Sequence, residues 1–89
     1  MVIKQLDLMH MGERIRRCRE LKSMTREQLA ECMDVSVKFL ADLERGSKGI
    51  SMQNFCALIQ ILDTSADYLL SGDLNNHHRL LCEIKFYIE

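Results

Sequence analysis

The stretch "TREQLAECMDVSVKFLADLERG", Thr25 to Gly46, constrains the fold of this chain more than any other. Thr25 is a good N-cap, and Gln28 stands three residues later, the spacing of a capping box in which the two side chains satisfy backbone N–H groups at a helix start. A second capping residue, Ser36, follows soon after, so the first of the two helices has room for only about two turns. Asp34 lies between them, where a tight turn prefers glycine, and aspartate tolerates the left-handed conformation better than most residues. Gly46 is placed to end the second helix. The stretch therefore reads as two short helices joined by a sharp turn.

The rest of the chain agrees with a helical fold. It has no proline, four glycines and two tyrosines, and it is rich in Leu, Met, Ile, Glu, Arg and Lys, which tolerate helices better than turns or sheets. With 89 residues it can form one small domain with a modest core, and is too short for a deep enclosed substrate cavity. Met11, Ile15 and Cys18 recur at helical spacing and predict a first helix from about Met11 to Lys22, with Arg14, Arg16 and Arg17 mostly off the apolar stripe and Arg19 beside it. Leu29, Ala30 and Met33 form the inward edge of the next. Residues placed every 100° around the following helix put Ser36, Leu40, Leu43 and Glu44 on one side and Val37, Lys38, Ala41, Asp42 and Arg45 on the other. A fourth helix carries Met52, Phe55, Leu58, Ile59 and Leu62 as a broad stripe, and Ser65 caps a fifth that runs to Leu70 before Gly72. The terminal "NNHHRLLCEIKFYIE" can form a sixth, with Leu80 or Leu81, Ile84 and Ile88 on one face. The expected organisation is an N-terminal extension (1–10), an all-α domain (11–72) and a helical tail (73–89).

The formal charge of −1 argues against a nucleic-acid partner until it is divided. From Gly12 to Lys48 nine Lys or Arg stand against seven Asp or Glu, while from Gly49 to Glu89 two stand against five. The half that contains the opening stretch is positive, but only slightly, so charge by itself gives weak support to nucleic-acid binding. No apolar run approaches the ~20 residues that span a bilayer, and the first residues lack the apolar core of a secretory signal, so a soluble cytoplasmic protein is expected. Cys18, Cys32, Cys56 and Cys82 form no CxxC pair. Cys18 and Cys56 fall where helices would pack, which suits reduced thiols in or near a core.

Two short helices joined around Asp34 to Ser36 fit a helix-turn-helix, a geometry that many helical hairpins share. The detailed strings "MGERIRRCREL", "TREQLAECMDVSVKFLADLERG" and "ISMQNFCALIQILDTSADYLLSG" are more specific. Together they resemble the Cro and phage-repressor type of helix-turn-helix, the XRE family, over about Met11 to Gly72. The resemblance implies a five-helix DNA-binding domain whose third helix lies in the major groove. Val37, Lys38 and Asp42 match positions that face base edges. Thr25, Arg26, Ser36, Phe39, Arg45, Ser47 and Lys48 match positions that approach the backbone or flank the bases. Arg19 and Glu44 match a pair that commonly forms an internal ion pair behind the recognition helix.

Chemistry gives these roles a reason. Lys38 can donate to guanine, Asp42 can accept from cytosine N4, and Val37 can touch a thymine methyl. Arg26, Lys38 and the N–H groups at a helix start can hold phosphate. Three positions depart from the family pattern: Phe39 where a small or polar residue is common, Asp34 for the usual turn glycine, and Ile50 for a frequent proline. Phe39 either packs on a neighbour or stacks on a sugar or thymine, and Asp42 either reads cytosine or only weakens non-specific binding.

His78 and Cys82 can share a helical face, with His77 beside them, but two ligands do not make a tetrahedral site, and no metal is expected. No phosphate-cradling glycine loop, glycine-flanked serine or recognisable acid pair is present, so neither an enzyme nor a cofactor is expected. The leading expectation is a sequence-specific double-stranded DNA-binding regulator, bacterial or phage-encoded, that acts as a repressor and a homodimer. Leu80, Leu81, Ile84, Tyr87 and Ile88 are the candidate dimer residues. An antitoxin-type regulator with a protein partner, and an interaction module of the same fold that has lost DNA affinity, remain alternatives.

Overall fold

Polar caps decide where each helix begins. In the computed structural model, which describes residues 7–72, five helices follow one another: α1 (Leu8–Leu21), α2 (Arg26–Met33), α3 (Val37–Arg45), α4 (Met52–Leu62) and α5 (Ala66–Ser71). Their N-caps are Asp7, Thr25, Ser36, Ser51 and Ser65, and each side chain accepts hydrogen bonds from N–H groups in the first turn that would otherwise lack a partner. The capping box is complete: Gln28 N–H donates to Thr25 Oγ1 at 3.1 Å and Thr25 N–H donates to Gln28 Oε1 at 2.8 Å. Asp34 ends α2 in the left-handed region (φ 58°, ψ 46°), and Gly46 ends α3 there too (φ 80°).

The first helix starts earlier than the apolar spacing suggests. Asp7 accepts from the N–H groups of Met9 and His10, both at 3.1 Å, so the helix opens at Leu8 rather than near Met11. His10 Nδ1 also lies 2.5 Å from Asp7 Oδ2. These contacts hold the Asp7 carboxyl below its ordinary pKa, the His10 N–H first among the causes.

The core is a single cluster in which Met11, Ile15, Leu29, Leu40, Leu43, Leu58 and Leu69 are fully buried. Helix α1 packs on α3 and α5, and α2 packs on α3 and α4, so every helix reaches the same apolar centre. The α1–α3 crossing is close because residue 12 is glycine: a Cβ there would stand 2.4 Å from the backbone oxygens of Leu43 and Glu44. Arg14 ties α1 to α5, its Nη1 donating to Leu69 O at 3.1 Å.

Two expected packing positions are outside the core. Cys56 is exposed, because the inward arc of α4 is set by Phe55, Leu58 and Leu62 and Cys56 projects away from it. Met52, in the first turn, is 75% exposed. Among the described residues no helix is long and apolar enough to cross a membrane. The expected sixth helix, the dimer candidates within it, and His77, His78 and Cys82 lie outside the described residues.

Candidate nucleic-acid interface

Helix α3 presents a surface that its own caps prepare. Ser36 Oγ accepts from Phe39 N–H at 2.9 Å, which fixes the first turn and leaves Val37 40% exposed. Lys38 is 83% exposed along its side chain and Arg45 66%. The chain then turns back: Ser47 N–H and Ser47 Oγ both donate to Asp42 O, at 3.0 and 3.1 Å. Lys48 is exposed one residue further on and joins no ion pair among the described residues. Ser36, Val37, Lys38, Arg45, Ser47 and Lys48 thus stand on exposed positions of α3 and its flanks.

Asp42 does not stand there as an outward acceptor. It lies opposite Leu40 around α3, yet its carboxylate is only 10% exposed. Lys38 Nζ donates to one oxygen at 3.2 Å and Arg45 Nη2 to the other at 2.5 Å. Those contacts, Arg45 first and Lys38 second, hold its pKa below the ordinary value of 3.8. Phe39 is half-buried and packs against the core.

Behind the surface, Arg19 and Glu44 form the expected internal pair. Arg19 donates to Glu44 through Nε at 2.8 Å and Nη2 at 3.2 Å, and its Nη1 reaches Met24 O at 2.8 Å in the loop before α2. The Glu44 side chain is 1% exposed, and its hydrogen bond is the first cause that raises the Arg19 pKa. A third member joins from α2: Arg26 Nε donates to Glu44 Oε1 at 3.0 Å while the side chain stays 40% exposed. Arg26 is therefore not the unencumbered phosphate ligand the motif position implies. No local signal in the sequence joins it to a carboxylate eighteen positions away; only the packing of α2 on α3 does.

Next to this triad, Thr25, Arg26 and Glu27 at the start of α2 line an open depression of about 450 Å³ with Arg16, Arg19, Glu20 and Met24. Its walls are mainly polar, and the N–H end of a helix opens into it, a chemistry that favours anions. Arg16 and Arg17 are exposed and bridge loosely to Glu20 (3.7 Å) and Glu13 (3.5 Å), one turn away on α1. They form the solvated face that arginines on a short helix usually make. Among the described residues no group of three or more His, Cys, Asp or Glu is placed to hold a metal ion.

The same architecture occurs in proteins with a known context. The P22 c2 repressor, solved in complex with the synthetic operator 9T, is 36% identical over 79% of this chain and all of that one, with a TM-score of 0.68. The restriction-modification controller protein C.AhdI of Aeromonas hydrophila is 30% identical over 71% of this chain and 96% of its own, with a TM-score of 0.66. Two HTH-type transcriptional regulators of Bacillus subtilis (strain 168) also match. YazB is 38% identical over 65% of this chain and 84% of its own, and YqaE is 30% identical over 72% of this chain, which spans only 55% of YqaE. The helix-turn-helix family model HTH_3 covers residues 15–69, from the middle of α1 to the last turn of α5. With its paired short helices, its capped turn and more than half its length under that family's pattern, this chain belongs to the helix-turn-helix family.

Proposed function

We propose that this chain is a transcriptional regulator that binds double-stranded DNA through α3, with the loop after it and the start of α2 against the phosphate backbone. The observation that carries the reading is the exposed group Ser36, Val37, Lys38, Arg45, Ser47 and Lys48 on one short, doubly capped helix and its flanks. Lys38 and Val37 have the chemistry to meet base edges; Lys48, Arg45 and the N–H groups at the start of α2 have that to meet phosphate. The P22 c2 repressor, whose solved chain matches 79% of this one, was solved on an operator, and that likeness supports repression as the mode of action.

A single helix of nine residues offers few base contacts, so the reading includes a homodimer on half-sites about one helical turn apart. The location that follows is the cytoplasm, where the DNA is. A protein partner in place of DNA is the weaker reading: Asp42, whose carboxylate would repel phosphate if it stood free, is paired with two cations.

Selection from a random duplex library tests the proposal. An enriched sequence bound more tightly than random DNA at moderate salt is expected, with log K falling by about 0.9 per phosphate contact for each unit of log salt. Lys48→Ala should lower that slope by nearly the full increment, and Arg26→Ala by less, because Glu44 already offsets its charge. No enrichment over random duplex would remove the regulator reading.

A further inference from the structure

We propose that Asp42 is a specificity-determining residue, which holds Lys38 and Arg45 as charge-neutralised, pre-positioned donors so that α3 discriminates its own sequence from other DNA. The inference rests on the DNA-binding reading above and adds how that surface rejects the wrong duplex.

The geometry is a carboxylate shared between two cations. One oxygen takes Lys38 Nζ at 3.2 Å and the other takes Arg45 Nη2 at 2.5 Å, so both of the most exposed cations of α3 have one anion between them. Helix stability explains the Arg45 half, an acid followed by a base in the last turn, but not the Lys38 half. Lys38 sits in the first turn, where the helix dipole disfavours a cation, and a base preceding an acid by one turn is the weaker order of such a pair. The Lys38 ammonium stays largely in water, and a pair with one partner so exposed adds little to folding.

Its effect on recognition is larger. The trio of Lys38, Arg45 and Asp42 carries a net charge of +1 rather than +2, and non-specific attraction to phosphate follows net charge. Hydrogen-bonding capacity is hardly reduced. An ammonium has three N–H donors and a guanidinium five, and Asp42 uses one of each. Reading of base edges depends on where donors stand rather than on how much charge they carry. Asp42 therefore subtracts from the sequence-independent attraction while it orients Lys38, the donor that meets base edges, and fixes Arg45 at the flank; a flexible lysine stem held in place loses less freedom on binding.

The test compares binding of the full chain to a duplex enriched from a random library and to a scrambled duplex of equal length, by fluorescence anisotropy over a salt series. Removing one negative charge adds about one effective phosphate contact. Asp42→Asn should steepen the salt slope on the scrambled duplex by about 0.9 and tighten its binding about eightfold at 0.1 M salt. The enriched duplex should gain less, so the ratio of the two affinities falls. Adding Lys38→Gln to Asp42→Asn should return the scrambled-duplex slope to its starting value. Asp42→Ala, which suits a helix better, carries the same expectations should Asp42→Asn melt early by circular dichroism. Equal gains on both duplexes, or no gain on the scrambled one, would overturn the proposal while leaving DNA binding intact. A wild-type chain that prefers no duplex at all removes the regulator reading, and this inference with it.

Discussion

Glu44 holds two arginines in very different surroundings, and that difference sets what each interaction contributes. Its side chain is 1% exposed and Arg19 is 10% exposed, so both charges of that pair have left water, whereas Arg26 remains 40% exposed. Glu44→Gln keeps the shape but removes the countercharge, and places an amide N–H₂ against guanidinium donors. Breaking a buried pair from one side typically costs about 3–5 kcal/mol, because the remaining charge is stranded. Arg19→Met should fall in the same range, and it also deprives Met24 O of its guanidinium donor. Arg26→Met should cost no more than about 1 kcal/mol, the usual value of a pair that water still reaches. Urea unfolding followed by far-ultraviolet circular dichroism measures all three. With an m-value of about 1–1.5 kcal/mol/M for a domain this small, the first two variants should move the midpoint by about 2 M or more. The double variant Arg19→Met with Glu44→Leu should lose less than the sum of its parts. Equal losses for Arg19→Met and Arg26→Met, or a Glu44→Gln loss below about 1 kcal/mol, would show that burial does not govern this triad.

Gly12→Ala should destabilise the fold by about 1–3 kcal/mol in thermal melts despite the better helix propensity of alanine, since the new methyl would meet the backbone of α3 at 2.4 Å; a stabilised variant would refute the close crossing. The Asp7 and Asp42 carboxyls both have folded pKa values below the ordinary 3.8, so their contribution is present above that value and lost as pH falls through the folded ones. Melting temperature should therefore drop below about pH 4, and Asp7→Asn should flatten that limb; an unchanged limb counts against the cap. Truncation after Gly72 should turn a dimer into a folded monomer with weakened operator binding, as judged by light scattering over a concentration series. A dimeric truncated chain, or a monomeric full chain at every concentration, would exclude the tail as the interface.

What the sequence determined by itself was local. Caps and turns depend on residues within one helical turn, so Thr25 with Gln28, Asp34, Ser36 and Gly46 could be read directly, and the structure has each in the role expected of it. Periodicity likewise located Met11, Ile15, Leu29, Leu40, Leu43 and Leu58 in the core. The pair of Arg19 with Glu44 came from resemblance to a family, since nothing near either residue points to the other. Tertiary structure alone decided the rest. Arg26 meets Glu44 only because α2 packs on α3; Gly12 is required only because α1 crosses α3 closely; Arg14 reaches Leu69 O only because α5 returns to α1. Asp42 shows the limit most plainly. A helical wheel places it on the side away from Leu40, but cannot show that the long side chains of Lys38 and Arg45 fold over it, take both its oxygens and leave it buried. Spacing fixes the direction in which a residue leaves the helix, while its exposure and charge are settled by what the neighbouring side chains and elements do once they are packed.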